Sequence, residues 1–321
     1  MKLTKSKTYI LAFCLVVIMM LLVIKPAVYM QATLSGLTIW LNNVLPALFP
    51  FFFFSSLLLK LNIVSTLGNK MQWLTNKLFH CSGGAGLVFL ISIISGYPVG
   101  ARVSSDLYKS KLITQNELMR INAFASTSGP LFIVGAVGVG MFHSQLIGFI
   151  LLLSHYVGAI LNGVLFRNYK FTPNLIYKFS TQTDKTSLSE SMYSSIIAIL
   201  LVGGYIVIFF ILIKMLECLG MFSLLSGVFS VFGVDGELVR GIVSGIIEVT
   251  TGCEFLSSIE YSFILVPIVC GLISFGGFSI HAQALTFLSP CGLTSKLFVL
   301  QKATQSLISI IVCFILSLCF L

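Results

Sequence analysis

Charge is scarce in this sequence. Ten acidic and 19 basic residues in 321 leave 9% of positions charged, against about 25% in a typical soluble domain. With 57% of residues hydrophobic, no single water-soluble globule could bury the apolar surface, so an aqueous enzyme or binding domain is excluded. Paired cysteines are also lacking. The eight present (Cys14, Cys81, Cys218, Cys253, Cys270, Cys291, Cys313, Cys319) form no C-x-x-C and lie mostly inside apolar runs, as small buried hydrophobes do, not disulfides or metal ligands. The four histidines make no H-x-x-x-H or H-E-x-x-H pattern, so neither a metal nor a cofactor is expected. No set of nucleophile and base is visible, which disfavours a membrane-embedded enzyme. The net charge of +9 falls in short loops between apolar spans, where membrane orientation explains it and nucleic acid need not.

What the chain has instead is length of hydrophobic run. Residues 9 to 24, 145 to 166, 194 to 213 and 297 to 321 approach or exceed the roughly 20 apolar residues that cross a hydrocarbon core of about 30 Å. The expected fold is an all-α integral membrane protein, a polytopic helical bundle in a lipid bilayer. The N-terminal stretch "MKLTKSKTYILAFCLVVIMMLLVIKP" has signal-peptide character, but its apolar part is long and no A-x-A site ends it, so it reads as a signal anchor.

Basic residues give a topology, because short cytoplasmic loops carry the excess of lysine and arginine. Lys2, Lys5 and Lys7 place the N-terminus in the cytoplasm. A span over 34 to 59 returns to a loop with Lys60, Lys70 and Lys77, and Arg102, Lys109, Lys111 and Arg120 follow "ISIISGYPVGARVSSD". Both flanks of residues 84 to 101 are therefore basic, which predicts a segment that dips in and returns, turning at Gly-Tyr-Pro-Val-Gly. Non-helical backbone at membrane depth must be buried in protein or line a polar cavity. Residues 121 to 141 then go out, 145 to 166 return, and the loop with Arg167, Lys170, Lys178 and Lys185 is cytoplasmic. Residues 193 to 216 go out, 238 to 253 dip in from outside, 262 to 287 return and 297 to 320 leave.

A weak repeat runs through this order. In the first half a span (34 to 59) precedes a short stretch (62 to 80), then "SIISGYPVGA" and "STSGPLF"; in the second, a span (193 to 216) precedes 221 to 233, then "GIIEVTTGC" and "SFGGFSI". The halves start on opposite sides, so they are inverted repeats, each with a re-entrant or broken helix. Such segments build the site of many secondary transporters at the repeat interface. The expected division is 1–33, an N-terminal helix and external turn; 34–166, the first repeat; 167–192, a cytoplasmic linker; and 193–321, the second repeat.

Glu248 is the one acid inside an apolar span, so it is a candidate for a coupling proton or cation; its alternative is a structural hydrogen bond. Arg102 could fork onto a substrate carboxylate or anchor its segment at the interface. Ser95, Gly96, Tyr97, Pro98 and Gly100 form the first break, and Ser126, Thr127, Ser128 and Gly129 add hydroxyls and a second. Thr250 and Thr251 follow Glu248, while Gly276 and Gly277 make a break plausible before His281 and Gln283. Free amides and helix N-termini at such breaks favour anions. "FPFFFF" reads as lipid-facing or packing material, and Asn42 and Asn43 are weak pore-lining candidates.

The motifs "LPALFPFFFFSSLL", "SGYPVGAR", "STSGPLFIVGAVGVGMF", "EVTTG" and "SFGGFSIHAQ", in that order, resemble the YlbJ-type sporulation integral membrane proteins of spore-forming Firmicutes. These group with the nucleoside-recognition, or Gate, domain proteins, which are related to spore maturation proteins and to the hairpin regions of concentrative nucleoside transporters. The resemblance covers nearly the whole chain. It implies transport of a small solute during sporulation, with dipicolinate the family's proposed cargo, in the outer forespore membrane. A flat dianion suits Arg102, broken-helix amides and Tyr97. A nucleoside or other metabolite permease and a non-transporting structural protein remain alternatives, as does assembly as a homo-oligomer or with other sporulation membrane proteins.

Overall fold

The computed structural model describes residues 5–59, 63–171, 188–260 and 264–321; most of the expected linker, with Lys178 and Lys185, lies outside these, as do Lys2 and Lys60. Every regular element among the described residues is a helix, the arrangement that satisfies backbone polar groups internally where no water is present. In chain order they are α1 (Lys5–Ile24), α2 (Pro26–Ile39), a π turn (Trp40–Val44), α3 (Leu45–Leu59), α4 (Ile63–Phe79), α5 (Gly83–Ser95), α6 (Val99–Lys109) and α7 (Gln115–Asn122). A π-helix (Leu131–Met141) and α8 (Gln145–Phe166) complete the first half. The second holds α9 (Leu188–Cys218), α10 (Met221–Ser230), α11 (Gly236–Ile247), α12 (Val249–Ser257), α13 (Leu265–Phe275), α14 (Gly277–Leu288) and α15 (Ser295–Phe320).

By length and composition four helical stretches can cross a membrane: α8, α9, the α13–α14 pair through Cys291, and α15; counting two sharply bent pairs as spans makes six. Of these pairs, α1 and α2 bend by 102°, and α4 and α5 by 93°. Helix α5, with 13 residues, is too short to cross a core of about 30 Å alone.

The long helices are inside out relative to a soluble bundle. Helix α15 buries Gln301, Lys302, Gln305, Ser309 and Ser317 while Leu300, Leu307, Ile311, Ile315 and Leu318 point outward. Helix α8 likewise buries Ser154, His155 and Asn162 and exposes Leu146, Phe149, Leu153, Leu161 and Leu165. Apolar side chains gain nothing by leaving lipid, whereas polar ones must find partners within the protein. This pattern establishes a multi-pass membrane protein from the packing.

The expected spans 121 to 141 and 262 to 287 are both interrupted. The first unwinds between α7 and the π-helix, where residues 126 to 129 have no regular structure. The second stops at Gly276, whose φ of +86° is a left-handed conformation that glycine adopts without steric cost. With Gly96–Pro98 between α5 and α6, and Glu248 between α11 and α12, these make four breaks among the described residues, two per half, besides the α1–α2 and α4–α5 bends.

Candidate functional site

Three of the breaks and the helix that follows the fourth line one cavity of about 50 Å³. Ser95, Gly96 and Tyr97 line it from the first break, Ser128 and Gly129 from the second, Glu248 and Thr250 from the third, and Ser279 and Gln283 from the helix after the fourth. Val44, Leu48, Phe132, Val202 and Ile206 supply apolar walls. A volume near 50 Å³ has room for only a few waters, so the cavity must widen to admit a metabolite.

The breaks pack in pairs. A β-carbon on Gly96 would approach the backbone of Gly129, and one on Gly277 would stand 3.1 Å from the Val249 nitrogen. Each half therefore brings its own two breaks together, and the cavity lies where the pairs meet.

Side chains satisfy the backbone groups that the breaks release, as burial away from water requires. Thr127 N–H donates to Ser92 Oγ at 3.1 Å, and Ser128 N–H donates to His155 Nε2 at 3.0 Å. The acceptor role of Nε2 leaves the proton on Nδ1, which faces Ser274 Oγ at 2.8 Å; His155 thereby ties a first-half break to α13. Tyr156 Oη donates to the carbonyls of Ile93 and Ser128 at 3.1 and 3.2 Å. His281 does similar work at the fourth break, its Nε2 donating to the Phe275 carbonyl at 2.9 Å.

Glu248 is both cavity wall and helix cap. Its carboxylate accepts from Thr250 N at 3.1 Å, from Thr251 N at 2.7 Å and from Thr251 Oγ1 at 2.8 Å, closing the N-terminus of α12 as an acidic N-cap does. The two readings of Glu248 are thus compatible.

The other sequence candidates divide. Ser126 and Thr127 are buried behind the wall, and Thr251 serves Glu248. Pro98 starts α6, Gly100 packs against Ser92 and Ala125, and Gly276 and Gly277 form the turn into α14. Arg102 is not brought to the cavity: its side chain is 58% exposed and faces Asp106 at 3.9 Å. Asn43 donates to Glu254 at 3.3 Å, and Asn42 is exposed. Arg120, which reads as a loop charge, is buried and donates to the carbonyls of His80, Tyr169 and Lys170.

Sequence reasoning missed Lys302. It is fully buried and its Nζ donates to Tyr97 Oη, to the Ser126 carbonyl at 2.8 Å and to Gln305 Oε1 at 2.6 Å. Its signal is the polar series Gln301, Lys302, Gln305 and Ser309, spaced along one face of an otherwise apolar helix.

No protein-family model matches the chain. The chain is 28% identical over 332 residues to the sporulation integral membrane protein YlbJ of Bacillus subtilis (strain 168), covering 95% of this chain and 81% of that one. Its fold is similar to the solved structure of a double variant of CNTnw in an outward-facing state, with a TM-score of 0.55 and 14% identity over 86% of this chain and 75% of that one. The chain is YlbJ-like along nearly its whole length, as its motifs imply, and its fold is similar to that of CNTnw. It is a multi-pass membrane protein.

Proposed function

We propose that the protein is a secondary transporter that moves a small anionic solute during sporulation, with dipicolinate the cargo that the family resemblance suggests. The observation that carries this reading is one cavity lined by three chain breaks and by the helix after the fourth, drawn from both halves. Broken helices around a central site are a recurrent design for alternating access, with one half rocking against the other. The order of spans and breaks supports an inverted repeat, and the basic loops support a cytoplasmic N-terminus. By resemblance the membrane is the outer forespore membrane. Glu248, the acid in the cavity wall, is the residue for proton or cation coupling. A nucleoside permease is the second reading, favoured by the likeness to CNTnw.

Reconstituted protein in proteoliposomes, presented separately with labelled dipicolinate, nucleosides and simple dicarboxylates, tests both. Accumulation of dipicolinate above empty vesicles is expected. Nucleoside uptake alone would replace the first reading with the second, and uptake of none would leave a structural role.

A further inference from the structure

An anionic cargo needs donors, and the cavity wall itself offers no cation. Among the described residues Glu248 is the one charged residue lining it, and its oxygens already cap α12. Arg102 lies elsewhere. Lys302 stands directly behind the wall, touching the lining side chain of Tyr97. The ammonium also lies 5.0 Å from the Tyr97 ring centroid.

Four features make this arrangement electrostatically incomplete. The three hydrogen bonds of the Lys302 ammonium all end on neutral oxygens, from Tyr97, Ser126 and Gln305, and among the described residues no carboxylate pairs with it. A buried cation without a counter-ion is costly, and an arriving anion removes that cost. Tyr97 Oη accepts from the ammonium, so its own proton is left to donate, strengthened by the charge behind it. Ser95 Oγ, on the cavity wall and 3% exposed as a residue, has no hydrogen-bond partner. The N-terminus of α14 has no side-chain cap, and Ser279 and Ile280 from its first turn line the cavity, adding positive helix-end potential.

We propose that Lys302, acting through the Tyr97 hydroxyl, is the cation that selects a carboxylate-bearing cargo, with Ser95 Oγ as a further donor. This rests on the transport reading above. The carboxylate accepts the Tyr97 O–H on the cavity side while Lys302 holds the phenol oxygen from behind. Lys302 is thus a positioning and specificity-determining residue that need not itself enter the cavity.

The test compares two probes of one shape and different charge, dipicolinate and its neutral diamide, in uptake by proteoliposomes and in thermal stabilisation of the full-length protein in detergent. Wild type should prefer the dicarboxylate. Lys302→Gln and Tyr97→Phe should each lower dicarboxylate uptake and stabilisation by about tenfold or more and lower those of the diamide several-fold less. Tyr97→Phe removes one oxygen and keeps the question open to measurement if Lys302→Gln misfolds. An equal loss for both probes, or an unchanged preference, would overturn the proposal. If wild type moves neither probe, stabilisation decides: a dicarboxylate effect that the variants lose upholds the selectivity role while the transport reading fails, and no effect on wild type overturns it.

Discussion

Gly96 and Gly129 meet backbone to backbone: a β-carbon added to Gly96 would stand 2.6 Å from the Gly129 nitrogen. The relation is not symmetrical. A β-carbon on Gly129 would find Gly96 N at 3.4 Å, an ordinary contact, and only Gly96 has a positive φ, +69°. Gly96→Ala should therefore cost about 1–3 kcal/mol and abolish most uptake, whereas Gly129→Ala should stay within about 1 kcal/mol of wild type. Thermal unfolding in detergent alongside uptake checks this; equal effects would mean that the two breaks do not pack as described.

Glu248→Gln separates capping from coupling. An amide offers one acceptor where the carboxylate offers two, so one backbone N–H at Thr250 or Thr251 loses its partner. A loss of about 1 kcal/mol in stability is expected from the weakened cap, together with a flattened pH or ion dependence of uptake. A variant that unfolds earlier yet keeps the full dependence would leave Glu248 as a cap alone.

Arg102→Gln should change little. The side chain is exposed and its ion pair with Asp106 is long, worth about 0–1 kcal/mol. The ratio of anionic to neutral uptake should match wild type. A selective loss of anionic cargo would return Arg102 to the site.

The α4–α5 corner and the end of α6 should lie on the same side of the membrane. Asn76 and Ser110 are both exposed; cysteines placed there, in a background without the native eight, should react with impermeant maleimide only from the cytoplasm. Labelling of either from outside would break the expected topology and, with it, the inverted orientation of the halves.

Much of this site is legible in the sequence because broken membrane helices leave a compositional mark. Glycine and proline at Gly96–Pro98 and Gly129–Pro130, and an acid in an apolar run at Glu248, stand out against their surroundings. Ser95, Tyr97, Ser128 and Gln283 follow as neighbours. What lies outside local reach is the patching. Lys302 sits near the start of an expected span, where a lysine also satisfies the positive-inside rule, and its partners Tyr97 and Ser126 are 205 and 176 positions away. His155 and Ser274, 119 positions apart, are lone polar residues in apolar runs. Arg102 shows the converse: its place beside the motif suggests the site, but α6 turns its side chain outward.

The inverted polarity of α8 and α15 also bears on how the fold responds to temperature. Soluble proteins owe their large heat-capacity change on unfolding to apolar surface meeting water, and with it their weakening in the cold. Here the outward leucines and isoleucines meet hydrocarbon whether the helices are packed or apart, and the contacts that break on separation are the hydrogen bonds of Lys302, His155, Asn162 and Tyr156. Helix separation within a bilayer should thus absorb heat with little change in heat capacity, so cohesion of this bundle declines almost linearly on warming and has no cold limit of the kind that bounds a water-soluble core.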